Sequence, residues 1–191
     1  MTNIRNWINL VENTDIDREF YINQANEFRV EQKLWWPVSK ELMAEYNDGS
    51  HTEEWADGTL LWYKNGKEHR DDDKPARILA DGRLEWYKNG LLHRDGDKPA
   101  LIDASGSLWW FKNRLFHRDG DKPAVIDARG GLAWYKNNKL HRVLGPAVID
   151  DNNKFVWWFK NKKITVRSQD RFEKYLKKHY PFDNEIKQLY Y

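Results

Sequence analysis

The feature that most constrains this chain is an internal repeat. His69, His93, His117 and His141 stand 24 residues apart each time, and Trp62, Trp86, Trp110, Trp134 and Trp158 keep the same step. Each of these tryptophans opens a "WYKN" or "WFKN" tetrapeptide. The octapeptide "HRDGDKPA" occurs at residues 93–100 and again at 117–124, with "HRDDDKPA" at 69–76. A chain built this way buries apolar surface by stacking copies, so the expected object is quasi-one-dimensional. Pro75, Pro99 and Pro123 follow the step while Pro146 comes one residue early. An added residue in "DDNNK" (150–154) is read as restoring the register before Trp158.

Within each unit the punctuation is that of β-hairpins. Asn65-Gly66, Asn89-Gly90, Asp57-Gly58 and Asp81-Gly82 are all type I′ turn signals. Later copies keep Asn first, at Asn113, Asn137 and Asn161, because Asn tolerates positive φ. Runs such as "GRLEWYKN" and "PARILA" are too short for helices. Each unit therefore predicts two strands, with the Asp-rich stretch and Pro as a bend in one. Period-two alternation puts Leu84, Trp86 and Lys88 on one face and Glu85 and Tyr87 on the other. Stacked copies then carry a Trp ladder opposite a Tyr/Phe ladder, with Trp110 packed between Trp86 and Trp134.

The ends differ from the middle. "HTEEWADG" (51–58) puts Glu54 where later copies have Ile, and Thr165-Val166 stands where His-Arg is expected. Ser168 is an N-cap candidate for an amphipathic helix with Phe172, Tyr175 and Leu176 on its apolar stripe, stopped by Pro181. A short helix is expected at 4–12, and irregular strands from Phe20 to Tyr46. The fold class is mainly β: an elongated single-layer antiparallel sheet of about five 24-residue hairpin repeats, capped by short N- and C-terminal helices. The expected divisions are a helix and aromatic capping segment at 1–50, the repeat array at 51–166, and a capping helix and tail at 167–191.

Composition narrows the function. With 32 basic and 30 acidic residues the net charge is +2, which gives no global push toward nucleic acid. The absence of cysteine excludes disulfides and thiolate chemistry and suits a reducing cytoplasm. No apolar run reaches the roughly 18 residues of a membrane span, and the start lacks a signal-peptide pattern. The anomaly is aromatic: 11 Trp, 9 Tyr and 8 Phe. A one-layer sheet cannot bury both faces under two short helices, so aromatic surface should stay exposed for a partner.

The polar residues argue against chemistry. The "HRD" triplets lack the glycine loop, lysine strand and "DFG" of a kinase, and an enzyme needs one constellation rather than several equivalents. The pairs Asp71/Asp73, Asp95/Asp97 and Asp119/Asp121 lack EF-hand spacing and read as solvated turn carboxylates beside Arg. Histidines one repeat apart would sit roughly 9–10 Å from each other, too far to share a zinc ion. Each is expected to hydrogen-bond across its own hairpin, for instance to a turn carbonyl. The Lys64, Lys88, Lys112, Lys136 and Lys160 ladder beside aromatics has the composition of a single-strand nucleic-acid groove, but acids are interleaved throughout. No catalytic residue, metal site or cofactor is expected.

"DGTLLWYKNGKEHRDDDKPARILADG" (57–82) resembles the divergent MORN-type repeat, and the resemblance covers residues 51–166. It implies consecutive hairpins in a single-layer sheet that serves as a binding or scaffolding surface, as in arrays of phages, large DNA viruses and toxin–antitoxin loci. The expected function is a non-catalytic, cytoplasmic scaffold, phage- or virus-encoded, that grips a host or cognate protein and inhibits a host defence enzyme. The candidate binding residues are Tyr63, Tyr87, Phe111, Tyr135 and Phe159, with Arg94 and Arg118 as anchors. The alternatives are a binder that sequesters a nucleotide, carbohydrate or single-stranded nucleic acid on the ladder, and an antitoxin-like neutralising protein.

Overall fold

The structure, a computed structural model, describes residues 14–31 and 46–190. An 11-stranded antiparallel sheet runs the length of the array. Through the repeats its strands are two residues long: Glu53–Glu54, Leu60–Leu61, Arg77–Ile78, Leu84–Glu85, Leu101–Ile102, Leu108–Trp109, Val125–Ile126, Leu132–Ala133 and Val148–Ile149. Phe155–Phe159 and Lys162–Ile164 close the far end. Every repeat thus adds two strands, and the order along the sheet follows the sequence. Four separate two-stranded hairpins, at 63–68, 87–92, 111–116 and 135–140, branch from it at Trp62, Trp86, Trp110 and Trp134.

This arrangement explains the repeated octapeptide. The carbonyl of Trp86 accepts from the amide of His93, and its own amide donates to Ala100. Residues 94–99 are therefore an excursion of the return strand opposite one tryptophan. The same pairing holds at Trp62, Trp110 and Trp134. The two expected strands per unit are present, but each is broken at this bend.

Turn chemistry divides into two kinds. Asn65-Gly66, Asn89-Gly90, Asn113-Arg114 and Asn137-Asn138 all have positive φ at both positions, as type I′ requires. Asp57-Gly58 and Asp81-Gly82 do not. Only the glycine is left-handed there (Gly82, φ 90), and Leu79 accepts from the amide of Gly82 while donating to Arg83. That is a three-residue loop with a glycine bulge. The Asp81 carboxylate is occupied in capping the amide of Arg83.

The core lies on one sheet face. Ile78, Leu84, Ile102, Leu108, Ile126, Leu132 and Ile149 are at most 2% exposed and form one cluster with the four tryptophans. Helix α1 (Thr14–Glu31) covers this face with Tyr21, Ala25 and Phe28. Its polar groups bond to the loops beneath: Arg29 donates to Gly106 O, Arg18 to Gly130 O, and the Tyr21 hydroxyl to Asp121 O. Irregular strands were expected from Phe20 onward, yet Phe20–Glu31 is helical. The helix expected at 4–12 lies outside the described residues, as does 32–45.

The last repeat corrects the register. The turns at 127–131 and 150–154 have the same length and the same hydrogen bonds, Asp127 N to Gly131 O and Asp150 N to Lys154 O. No residue is gained, so the early Pro146 leaves a 23-residue step in force. The amide of Lys160, not Asn161, therefore meets His141 Nδ1, and the positive-φ pair is Lys160-Asn161. Trp157 stands at the position of Trp134, Trp158 at that of Tyr135, and Ile164 at that of His141. Helices α2 (Gln169–His179) and α3 (Asn184–Tyr190) cover this end. Ser168 caps α2, and Phe172, Leu176 and Ile186 pack with Trp157, Phe159 and Ile164 in a second core.

Trp110 is 6% exposed in the middle of the first core. Truncation to Ala is expected to cost about 3–5 kcal/mol, as for other buried large aromatics. Urea melts that move by less than about 1 kcal/mol would place the core elsewhere.

Candidate binding face and the charged braces

The "HRDGDK" loops are braces between repeats. Arg70, Arg94, Arg118 and Arg142 fold back onto the indoles of Trp62, Trp86, Trp110 and Trp134, 3.7–3.9 Å from the ring centroids. The expected Trp-on-Trp packing is thus replaced by guanidinium on indole. Each fork then crosses to the preceding repeat. Arg94 takes both oxygens of Asp73 at 2.7 and 2.9 Å, Arg118 takes both of Asp97, and Arg142 takes those of Asp121. Asp48 receives Arg70 at the first junction. Lys98 and Lys122 add a second cation to Asp73 and Asp97. Partial burial of those two carboxyls works against ionisation, but the Arg and Lys hydrogen bonds outweigh it and hold both below the usual range.

The histidines form a second row. His69 Nε2 contacts Asp71 at 3.0 Å, and Lys64 reaches the same carboxylate at 2.8 Å. The sets His93–Asp95–Lys88 and His117–Asp119–Lys112 repeat the pattern. Bonds from Lys64 and then His69 hold Asp71 below its ordinary value. Nδ1 accepts from the backbone amide of the next repeat's turn: Asn89 for His69, Asn113 for His93 and Asn137 for His117. The expected bond within the same hairpin is therefore wrong. The ring links two repeats, and its tautomer carries the proton on Nε2.

At the fourth histidine the loop reads "HRVLGPA" and has no acid. Glu185 of α3 fills that role, 2.8 Å from His141 Nε2 and paired with Lys136. Burial holds the His141 pKa down against the pull of Glu185. The shorter loop leaves a cavity of about 340 Å³ beside α3. The charged groups lining it are already paired with one another or with Asp97.

These contacts relocate several candidate residues. Arg94 and Arg118 were expected as surface anchors, but their side chains are 3% and 8% exposed and committed to the braces. Phe159 was expected on the Tyr/Phe ladder, but the 23-residue step moves it to the lysine position, where it is fully buried under the helices. Trp158 takes its place, and Lys160 leaves the lysine row to pair with Asp183. Tyr63, Tyr87, Phe111 and Tyr135 are partly exposed, on the sheet face away from α1. Phe116 lies 4.3 Å from Phe111 and 5.1 Å from Tyr135, centroid to centroid, and Trp109 packs on it at 5.6 Å. Cross-strand pairing sets Tyr63 with Glu68, Tyr87 with Leu92, Phe111 with Phe116, Tyr135 with Leu140 and Trp158 with Lys163. These pairs are five rungs of one row, beside which Leu101, Trp109, Val125, Val148 and Val156 are also half-buried. Trp109 and Phe116 were missed because they lie outside the recurring tetrapeptide, and Trp158, which opens one, was expected on the Trp ladder instead.

No protein-family model matches the chain, and no curated protein or solved structure matches it. The architecture is that of a β-hairpin repeat protein. Among the described residues no three His, Asp or Glu side chains converge to hold a metal ion, and no helix is long and apolar enough to cross a membrane.

Two measurements check the braces. Carboxylates whose folded pKa is depressed stabilise the fold above their unfolded value near 4, and that stabilisation is lost as pH falls through the folded values. His141 is depressed too, so the unfolded chain takes its proton first and stability begins to drop below about pH 6.5. Urea melts should therefore show a small decline below about pH 6.5 and a steep one below about pH 4. A flat profile down to pH 3 would contradict the carboxylate braces. Separately, a chelator should leave Tm unchanged, since only a ligand that prefers the folded state shifts it. A fall of several degrees reversed by calcium or zinc would assign the Asp and His rows to an ion.

Proposed function

We propose that this chain is a non-catalytic repeat scaffold that binds a partner protein on the aromatic row opposite α1. One observation carries the reading. The sheet has two apolar faces, helix α1 covers one, and among the described residues no helix covers the row from Tyr87 to Trp158, where only the Arg77 guanidinium lies over a ring, 5.2 Å from the Tyr87 centroid. Rings left half-exposed in a continuous row are what interfaces use, because they bury large area for few frozen torsions. Most polar residues with chemical potential are otherwise engaged: the loop arginines are tied to the repeat before, and the histidines to an acid and to the next repeat's turn. The likeness of the unit to MORN-type repeats supports the same reading. It extends it to a cytoplasmic, phage- or virus-encoded protein whose partner is a host or cognate protein, such as a defence enzyme.

Phe111→Ser combined with Tyr135→Ser tests the face. The double variant should keep the native circular dichroism spectrum and lose the protein that the tagged wild type captures. Folding with capture retained would remove this face from the reading. A nucleotide or sugar released on denaturing the purified chain would instead favour sequestration of a small ligand.

A further inference from the structure

We infer that the aromatic row takes an extended, proline-rich segment in the polyproline II conformation, with a basic residue at one end and an acidic residue at the other. The inference rests on the scaffold reading and names the occupant of the same face. The repeat spacing selects the backbone. Each repeat adds two strands to the sheet, so successive rungs lie about 9.6 Å apart, twice the strand spacing. A polyproline II helix turns once in three residues and rises about 9.3 Å per turn. Over the four steps between five rungs it drifts out of phase by about 1 Å. An α-helix repeats its face every seven residues, about 10.5 Å, and drifts by nearly 4 Å. A β-strand repeats every two residues, about 6.8 Å, and meets alternate rungs out of phase. Of the three regular backbones, only polyproline II sets one equivalent side chain on every rung.

The lining suits the same occupant. Aromatic and aliphatic side chains make the three middle rungs, and a depression of about 500 Å³ opens beside Leu101, Trp109, Phe111 and Phe116, edged by Asp81, Arg83, Asp103 and Ser105. Such ring-lined furrows suit proline, which is apolar, already extended and loses little entropy on docking.

Charge complementarity fixes the ends. At the first rung Glu68 faces Tyr63, and Glu53 and Glu85 share the same sheet face. Arg77 and Arg83 pair with Glu68 and Glu85 there, and Lys67 and Arg114 line the depression beside Tyr63, so the acid left without a cation partner among the described residues is the exposed Glu53 of the outer strand. Burial first, then Glu53 and Glu68, push the Tyr63 phenol above its ordinary value against the pull of Arg77. At the last rung Lys163 faces Trp158, with no acid within ion-pair distance among the described residues. The basic end of the segment therefore lies at Tyr63 and the acidic end at Trp158.

The test uses the full chain and labelled twelve-residue peptides in fluorescence anisotropy. One peptide has two arginines, eight prolines and two glutamates; a second has the same residues in reverse order. Two controls keep the charged ends around a Gly/Ser core or an alanine helix. A proline peptide in one of the two orders should bind at least tenfold tighter than both controls. Phe111→Ser should weaken it at least tenfold, and so should Glu53→Lys with Lys163→Glu, an exposed pair that leaves the rings in place. Equal binding of the Gly/Ser peptide, tighter binding of the helix, or no effect of either variant would overturn the inference. If the proline peptides fail while a captured protein still depends on Phe111 and Tyr135, the scaffold reading stands and only the polyproline occupant is lost.

Discussion

The array depends on one contact, the buried arginine held between the indole of its own repeat and the carboxylate of the repeat before. A guanidinium at 3% exposure is tolerable only if its donors are met. Arg94 meets this condition with both oxygens of Asp73, the face of Trp86 and the carbonyl of Pro99. No repeat can satisfy its arginine alone. Removing one partner of such a pair costs about 3–5 kcal/mol when fully buried, and less where the carboxylate is as exposed as Asp73. The intact pair contributes far less than that. Its role is to make the stacking register unambiguous, because a slipped neighbour would leave a cation buried without its acid.

The same contact makes the two sheet faces unequal. Tryptophans pinned under arginines join the Leu/Ile layer, and α1 closes it by donating to carbonyls of the loops at Gly106, Asp121 and Gly130. Nothing comparable reaches the other face among the described residues. The side chains there alternate out of the core by strand geometry, and the rings of Phe111 and Tyr135 both pack on Phe116 between them. Among the described residues the covering helix lies on one side of the thin sheet, and the aromatic row lies on the other.

Much of this was legible in the sequence. The constant histidine step, the Asn-Gly turns and the amphipathic stretch after Ser168 gave hairpins and the helix at 169–179, because φ and period are local properties. Three things were not. In "VWWF" either Trp can continue the ladder, and matching the tetrapeptide chose Trp158; the backbone instead conserves the length of the turn at 150–154, which selects Trp157. Helix α1 shows a stripe of only Tyr21, Ala25 and Phe28, and its other anchors are arginine and hydroxyl groups that count as polar in any hydrophobic periodicity. Arg94 and Arg118 read as surface charge because the indole that covers them lies elsewhere in the chain. The clue was present in the constant Trp-to-Arg spacing of Trp62/Arg70, Trp86/Arg94, Trp110/Arg118 and Trp134/Arg142, since a fixed offset between a ring and a cation in every copy is the pattern of a contact.

The ends show how a ladder of interchangeable units acquires a fixed length. Each unit offers an acid to the next arginine and a ring nitrogen to the next turn, so an unmodified last copy would present both to solvent and invite another. Here the fourth loop loses its acid and becomes Val143 and Leu144, and Ile164 replaces the next histidine. Buried Phe159 replaces the next lysine. The surface so created is apolar and is met by Phe172, Leu176 and Ile186. Glu185 returns the missing carboxylate to His141 and Lys136 from the helix itself. At the opposite edge Glu53 and Glu54 put two exposed charges on the outer strand, which disfavours pairing with a further strand. Since each repeat contributes one rung to the aromatic row, the residues that terminate the stack also set the length of the open face.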